Sequence, residues 1–191
     1  MFSERRVNFR FRSLAVAGAF VLALIGTALA APAATAQPRE VPAAAAGVIR
    51  ANEEVAFNYF VGKGLTPIQA AGVVGNLDQE SYMDPTIHQI GGGPGRGLAQ
   101  WSAGGRWDTY PGDNLVEFAN NAGVDRYGLQ VQLDFIWYEL TEFSYYGLAQ
   151  LRAATTIEAA VIAFQDKFEG CGTCHTDRRI AYAQDAYNLY T

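Results

Sequence analysis

The 191-residue sequence has few of the side chains that most often carry metal and redox chemistry: two histidines, two cysteines and two methionines. The histidines, His88 and His175, stand 87 positions apart, which is no metal-ligand spacing, so neither zinc nor another metal is expected. Charged residues are also sparse, at 17% of the chain, with 14 basic against 19 acidic side chains. No lysine- or arginine-rich run follows Arg12. That removes the electrostatic footprint of a protein that binds nucleic acid or an anionic membrane surface. No G-x-S-x-G elbow, phosphate-binding loop or internal repeat occurs, and strand patterning is weak throughout. What is present is apolar: half the residues are hydrophobic, enough for the core of one domain and too many for a disordered chain.

The N-terminus has its own composition. Met1 to Arg12 carries four arginines and one glutamate, and Ser13 to Ala30 carries no charge. Two small-residue exits follow, Ala28-Leu29-Ala30 and Ala34-Thr35-Ala36. A basic head, a short apolar run and an Ala-x-Ala exit predict a secretory signal peptide over residues 1–36, cleaved after Ala36 or after Ala30. The alternative is a retained anchor, for which the run is slightly short of the roughly 20 residues a span needs. The protein is thus expected to be secreted and extracellular, monomeric, and without stable membrane association after cleavage. Removing the leader's four arginines and one glutamate leaves 10 basic and 18 acidic residues, a net charge of −8. Residues 37–48 read as a Pro/Ala-rich linker, and residues 49–191 as the folded domain.

An oxidising compartment makes a disulfide between Cys171 and Cys174 the default, a staple across a very short loop. Cys171-Gly172-Thr173-Cys174-His175 also matches the attachment motif of c-type haem. Haem would require a second axial ligand, and the mature chain offers Met83 and His88. The motif is short and arises by chance, so no cofactor is expected. Cys174 and His175 do not make a nucleophile pair, because adjacent residues seldom face each other.

From about Val48 the pattern is mainly helical. Ala51 to Gly62 is read as a first helix. Thr66-Pro67 opens a second: a threonine N-cap followed by proline at the first helical position. Its small residues Ala70, Ala71, Gly72 and Gly75 allow a close approach by another element. Residues 84–105 hold seven glycines and two prolines, a long irregular segment or small hairpin of the kind that is usually functional. Asp113 is placed as the cap of a short helix through Ala122. Helical faces then run over Gly128–Leu140, Thr156–Phe168 and Asp177–Tyr190. The expected fold class is mainly α, a single helical domain with a glycine-rich loop or small hairpin beside the site.

Glu80 is the first chemical candidate. It lies at the end of the second helix, where the helix carries partial negative charge. That field and partial desolvation both favour a carboxyl that keeps its proton, as a general acid must. The glycine-rich segment is the second, through Gly97, Leu98, Gln100 and Trp101. Glycines let backbone approach a ligand, and a glutamine side chain suits acetamido and hydroxyl groups of a sugar. Tyr82, Trp101, Trp107 and Tyr110 bring aromatic faces nearby; Trp107 is read as core, and Trp101 as core or platform equally. Glu169, paired with Arg178 or Arg179, is read as structural.

These pieces together resemble the phage tail lysozyme family, part of the lysozyme-like group that includes goose-type lysozymes and soluble lytic transglycosylases. The resemblance is carried by Gly64-Leu65-Thr66-Pro67, Ala70-Ala71-Gly72, Gly75-Asn76-Leu77, Glu80-Ser81, Gly97-Leu98-Ala99-Gln100-Trp101 and Arg106. It continues in Gln132-Leu133, Phe135-Ile136, Glu139-Leu140, Phe168-Glu169 and Arg179 with Ala183, so it spans about residues 55–190. It implies a lysozyme-like fold and cleavage of the β-1,4 bond between N-acetylmuramic acid and N-acetylglucosamine in peptidoglycan. Glu80 would be the catalytic acid, and Ser81, Tyr82, Gly97, Leu98, Gln100 and Trp101 would contact substrate. Arg106 and Glu169, like the Cys171–Cys174 pair, would be architecture. Three outcomes stay open at this point: hydrolysis by water, transglycosylation that leaves a 1,6-anhydro end, and an inactive fold that only binds glycan. The resemblance fixes no second carboxylate; Asp84 is near in sequence.

Overall fold

The computed structural model describes residues 43–191. The leader and residues 37–42 of the linker lie outside the described residues. The first helix, α1, runs Ala43–Gly62, six residues into the stretch assigned to the linker. An alanine run is the best helix former available, so the extension follows from propensity.

The second helix, α2 (Pro67–Ser81), forms as expected and is the axis of the domain. Thr66 accepts from the Gln69 amide, and the Gln69 side chain reaches back to the Thr66 N–H, a complete capping box ahead of Pro67. Eleven of its 15 residues are buried, so this is an all-round core helix without an exposed face to mark it. Its glycines set how closely its neighbours sit. A Cβ on Gly72 would lie 2.6 Å from the Ala160 Cβ, and one on Gly75 would lie 2.5 Å from the Arg179 carbonyl oxygen. These contacts seat two later helices, α6 (Ile157–Phe164) and α7 (Thr176–Tyr190), directly on α2.

The remaining elements wrap this centre. The glycine-rich segment forms a small hairpin, β1 (Gly95–Arg96) and β2 (Trp101–Ser102), paired antiparallel with Arg96 opposite Trp101. The helix α3 (Leu115–Ala122) is capped by Asn114, whose side chain accepts from the Glu117 amide. Asp113, the expected cap, instead accepts from the Tyr146 hydroxyl at 2.6 Å. Next come α4 (Leu129–Glu142), a 3₁₀ turn at Ser144–Tyr146, and α5 (Leu148–Ala153), a short helix that sequence periodicity did not reveal. The face read over Thr156–Phe168 is not one helix. It changes after Phe164 to a π turn, Gln165–Glu169, closed by Gly170 in the left-handed region. The stacked rings of Phe164 and Phe168, 4.4 Å apart, fix that turn in the core. The fold is mainly α, as the sequence predicts.

Candidate active site

Glu80 is the penultimate residue of α2, and the chain breaks away sharply after it. Tyr82 and Met83 both have positive φ, 52° and 53°, a costly conformation for residues with side chains. It is held in place from both sides: the Tyr82 N–H donates to the Asp78 carbonyl, and Asn52 of α1 donates to the Met83 carbonyl at 2.8 Å. The other two non-glycine residues with positive φ among the described residues are Gln100 and His175. Tyr82 and Met83 directly follow α2, and His175 follows Cys174, whose carbonyl accepts from Arg179, so three of the four adjoin Glu80 or its arginine's partner.

The Glu80 carboxylate is not free at the helix end. The Arg179 Nη2 donates to its Oε1 in a short ion pair. Arg179 comes from α7 and is 2% exposed. Its Nε donates to the Cys174 carbonyl at 2.6 Å, and its Nη1 donates to Asn76 Oδ1 at 2.9 Å and to the Asn76 carbonyl. Asn76 is itself buried on α2 and donates to the carbonyls of Gly72 and Val161. The Glu80 side chain remains 20% exposed, so it is reachable.

Glu169 ends the π turn and makes no pair with Arg178 or Arg179, contrary to the sequence expectation. Its Oε1 is sealed from solvent and has no hydrogen-bond partner. Burial pushes this carboxyl well above its usual range, and the Glu80 charge adds to the effect, against the opposing pull of Arg179 and Arg106.

A second buried charge group braces the site. Glu139 of α4 is fully buried and accepts from Arg106 Nε at 2.7 Å and from Trp101 Nε1 at 3.0 Å. Burial pushes it up to about 7, although Arg106 and Trp101 hold it down. Arg106 lies between the rings of Tyr146 and Phe168, 4.3 and 4.5 Å from their centroids, and donates to the Phe168 carbonyl. Arg106 thus ties Glu139 to the backbone of the residue next to Glu169.

The remaining expected site residues fall into two groups. Tyr82, at 40% exposed, and the half-buried Gln100 border solvent. Ser81, Leu98 and Trp101 do not: the Ser81 hydroxyl donates back to the Leu77 carbonyl, Leu98 is core, and the Trp101 ring packs on Phe135. Both backbone groups of Gly97 are used inside the hairpin, its N–H on the Ile87 carbonyl and its C=O on Gln100. Trp107 is core, as read. Asp84 accepts from the Thr86 amide and hydroxyl in a local turn.

Sequence reasoning did not single out Gln132 as a site residue. It is fully buried on α4; its Oε1 accepts from the Leu98 amide, and its Nε2 donates to the carbonyls of Pro85 and Arg126, each at 2.8 Å. One carboxamide thereby ties the start of the glycine-rich segment to its hairpin and to the turn before α4. The only available signal was a polar residue within an apolar helical face.

Cys171 and Cys174 form a disulfide, which leaves neither sulfur for a thioether and overturns the haem alternative. The bridged loop runs from the π turn carrying Glu169 to the helix carrying Arg179. Comparison with curated proteins gives no match. The sequence model of the phage tail lysozyme family matches residues 51–190.

Proposed function

The chain belongs to the phage tail lysozyme family, whose function is lysozyme-like cleavage of peptidoglycan, and on that premise we propose that it is a secreted muramidase with Glu80 as its general acid. It would act on the β-1,4 bond between N-acetylmuramic acid and N-acetylglucosamine. The observation that carries this reading is the placement of Glu80. It is a partly exposed carboxyl at the end of a buried helix, oriented by a buried arginine and followed by a strained turn.

In this reading Glu80 protonates the leaving oxygen while an oxocarbenium-like centre develops on the muramic ring. The exposed Tyr82 ring offers a face for a sugar, and Gln100 offers a donor and an acceptor for acetamido or hydroxyl groups. Ser81, Leu98 and Trp101 contribute by packing, and Gly97 by letting the hairpin turn. The charged leader pattern and the disulfide support action outside the cell.

Purified peptidoglycan incubated with the protein should yield muropeptides whose mass includes one added water per cut. Products lighter by one water would assign transglycosylation instead. Glu80→Gln should lower the rate by about 10²–10⁴, the usual contribution of a positioned acid. A folded Glu80→Gln with full activity sinks the assignment.

A further inference from the structure

The loop between the π turn and α7 is held by little besides its disulfide. Among the described residues, no backbone amide of Cys171, Gly172, Thr173 or Cys174 donates to a backbone carbonyl. Gly172 and Thr173 are exposed and the two cysteines are half-buried, so the bridge lies within reach of small solutes. The loop ends on His175, which stands in the left-handed region at φ 51° and makes no side-chain bond to the helix it opens. That conformation is costly for a residue with a side chain and persists only where its surroundings impose it. A bridge between residues three apart closes one of the shortest loops, so it constrains the unfolded chain least. What it fixes is local geometry.

One group in that geometry reaches the site. The Cys174 carbonyl accepts from Arg179 Nε at 2.6 Å, and Nη2 of the same guanidinium donates to Glu80 Oε1. The guanidinium is a planar, rigid fork, so Nε and Nη2 cannot be aimed independently. Arg179 is 2% exposed, and a buried donor that loses its acceptor is costly, so the fork must turn to find another.

We propose that the Cys171–Cys174 bridge is a redox-sensitive latch on the acid. Bridged, it holds Arg179 in the orientation that sets Glu80; as two thiols, it releases that orientation and cleavage slows. This rests on the assignment of Glu80 as the acid. The reductant is a dithiol. One of its thiolates attacks a bridge sulfur, the S–S bond breaks and a mixed disulfide forms; its second thiolate then displaces the cysteine from that intermediate. Two electrons and two protons pass to the bridge, which becomes two thiols, and the dithiol leaves as its own disulfide. His175 then relaxes from the left-handed region, the Cys174 carbonyl turns away from Nε, and the guanidinium turns away from Glu80. Tyr82 and Gln100, the sugar contacts of the reading above, bond to Asp78 and Gly97 instead, so the effect falls on turnover and not on docking.

The test compares cleavage of soluble peptidoglycan oligomers before and after reduction with dithiothreitol, with a titration of the released thiols and circular dichroism to follow the fold. Reduction should lower kcat by about 10–10²-fold, the scale of a small misplacement of a catalytic group, with KM and the helical spectrum unchanged. Reoxidation should restore the rate. The double variant Cys171→Ser with Cys174→Ser should start at the reduced rate and ignore the dithiol. Full activity with both thiols titrated overturns the proposal, as does a loss that follows loss of helix or that lies in KM. A second measurement reads the latch without substrate: the nuclear magnetic resonance signal of the Arg179 Nε–H, identified by its absence in Arg179→Lys. On reduction this signal should shift and exchange faster with solvent; a signal that ignores reduction overturns the latch. Full activity of Glu80→Gln is a separate outcome, which sinks the underlying reading of the acid while the Nε–H signal still reports on the latch.

Discussion

Arg179 holds Glu80 across 99 positions of sequence, and does so from a place sealed from solvent. Its guanidinium satisfies the carboxylate, a buried asparagine and the Cys174 carbonyl at once, a fork that a point charge cannot reproduce. Arg179→Lys should lower stability by about 1–3 kcal/mol through the carbonyls it leaves unpaired. Arg179→Met should cost about 3–5 kcal/mol, as expected when one partner of a buried pair is removed. Urea unfolding reads both; a methionine variant as stable as wild type would show that the pair does not hold α7 to α2.

The two α2 glycines separate packing from chemistry. Alanine at Gly75 would press its methyl on the backbone of Ala183 and Arg179, at 2.5 Å. Neither can move without shifting α7, so the gain in helix propensity should be outweighed by strain, leaving a net loss of about 2 kcal/mol. Lysis per folded molecule should fall too, because the helix displaced is the one bearing Arg179. Alanine at Gly72 meets Ala160 instead, at 2.6 Å. It should destabilise similarly while leaving more of the activity. Equal activity losses in the two variants would contradict this division.

Asp78 gives stability a pH dependence of definite sign. It is buried on α2, and burial, the charges of Glu53 and Asp185 and a hydrogen bond with Glu53 all push its carboxyl well above the usual range. Unfolded, it ionises at its ordinary value, so over the interval between the two values the native chain holds the extra proton. The associated stability is fully present below the ordinary carboxylate range and is lost as pH rises through the native value. Asp78→Asn should therefore unfold at higher urea than wild type in alkaline buffer, with the advantage shrinking as pH falls. A constant difference across pH would show that Asp78 is ionised in the fold.

What was legible in the sequence was chiefly local chemistry. Thr66-Pro67 announced α2 because capping is settled within four residues, and the bulk helical class followed from periodicity. The Asp113 cap failed by one position because Tyr146, 33 residues away, claims that carboxylate. The π turn hid inside an apolar stripe whose spacing suits a helix equally well. At the site, the position of Glu80 was readable and its partner was not: two adjacent arginines, 178 and 179, offered no local means of choice. Trp101 was evenly balanced because its burial is decided by Glu139, 38 residues on. The separation of Glu169 from both arginines depends on where their other donors go, which only three-dimensional packing determines.

Gln132 carries a last consequence. Glycine-rich chain is normally the most entropic part of a protein, and ordering it on contact with a ligand diminishes affinity. Here one buried carboxamide ties Leu98, Pro85 and Arg126 together, so the segment is ordered before any glycan arrives. A sugar chain that docks against it loses its own freedom but imposes little further loss on the protein. The glycines can therefore supply tight turns while binding is spared the disorder that glycine ordinarily brings.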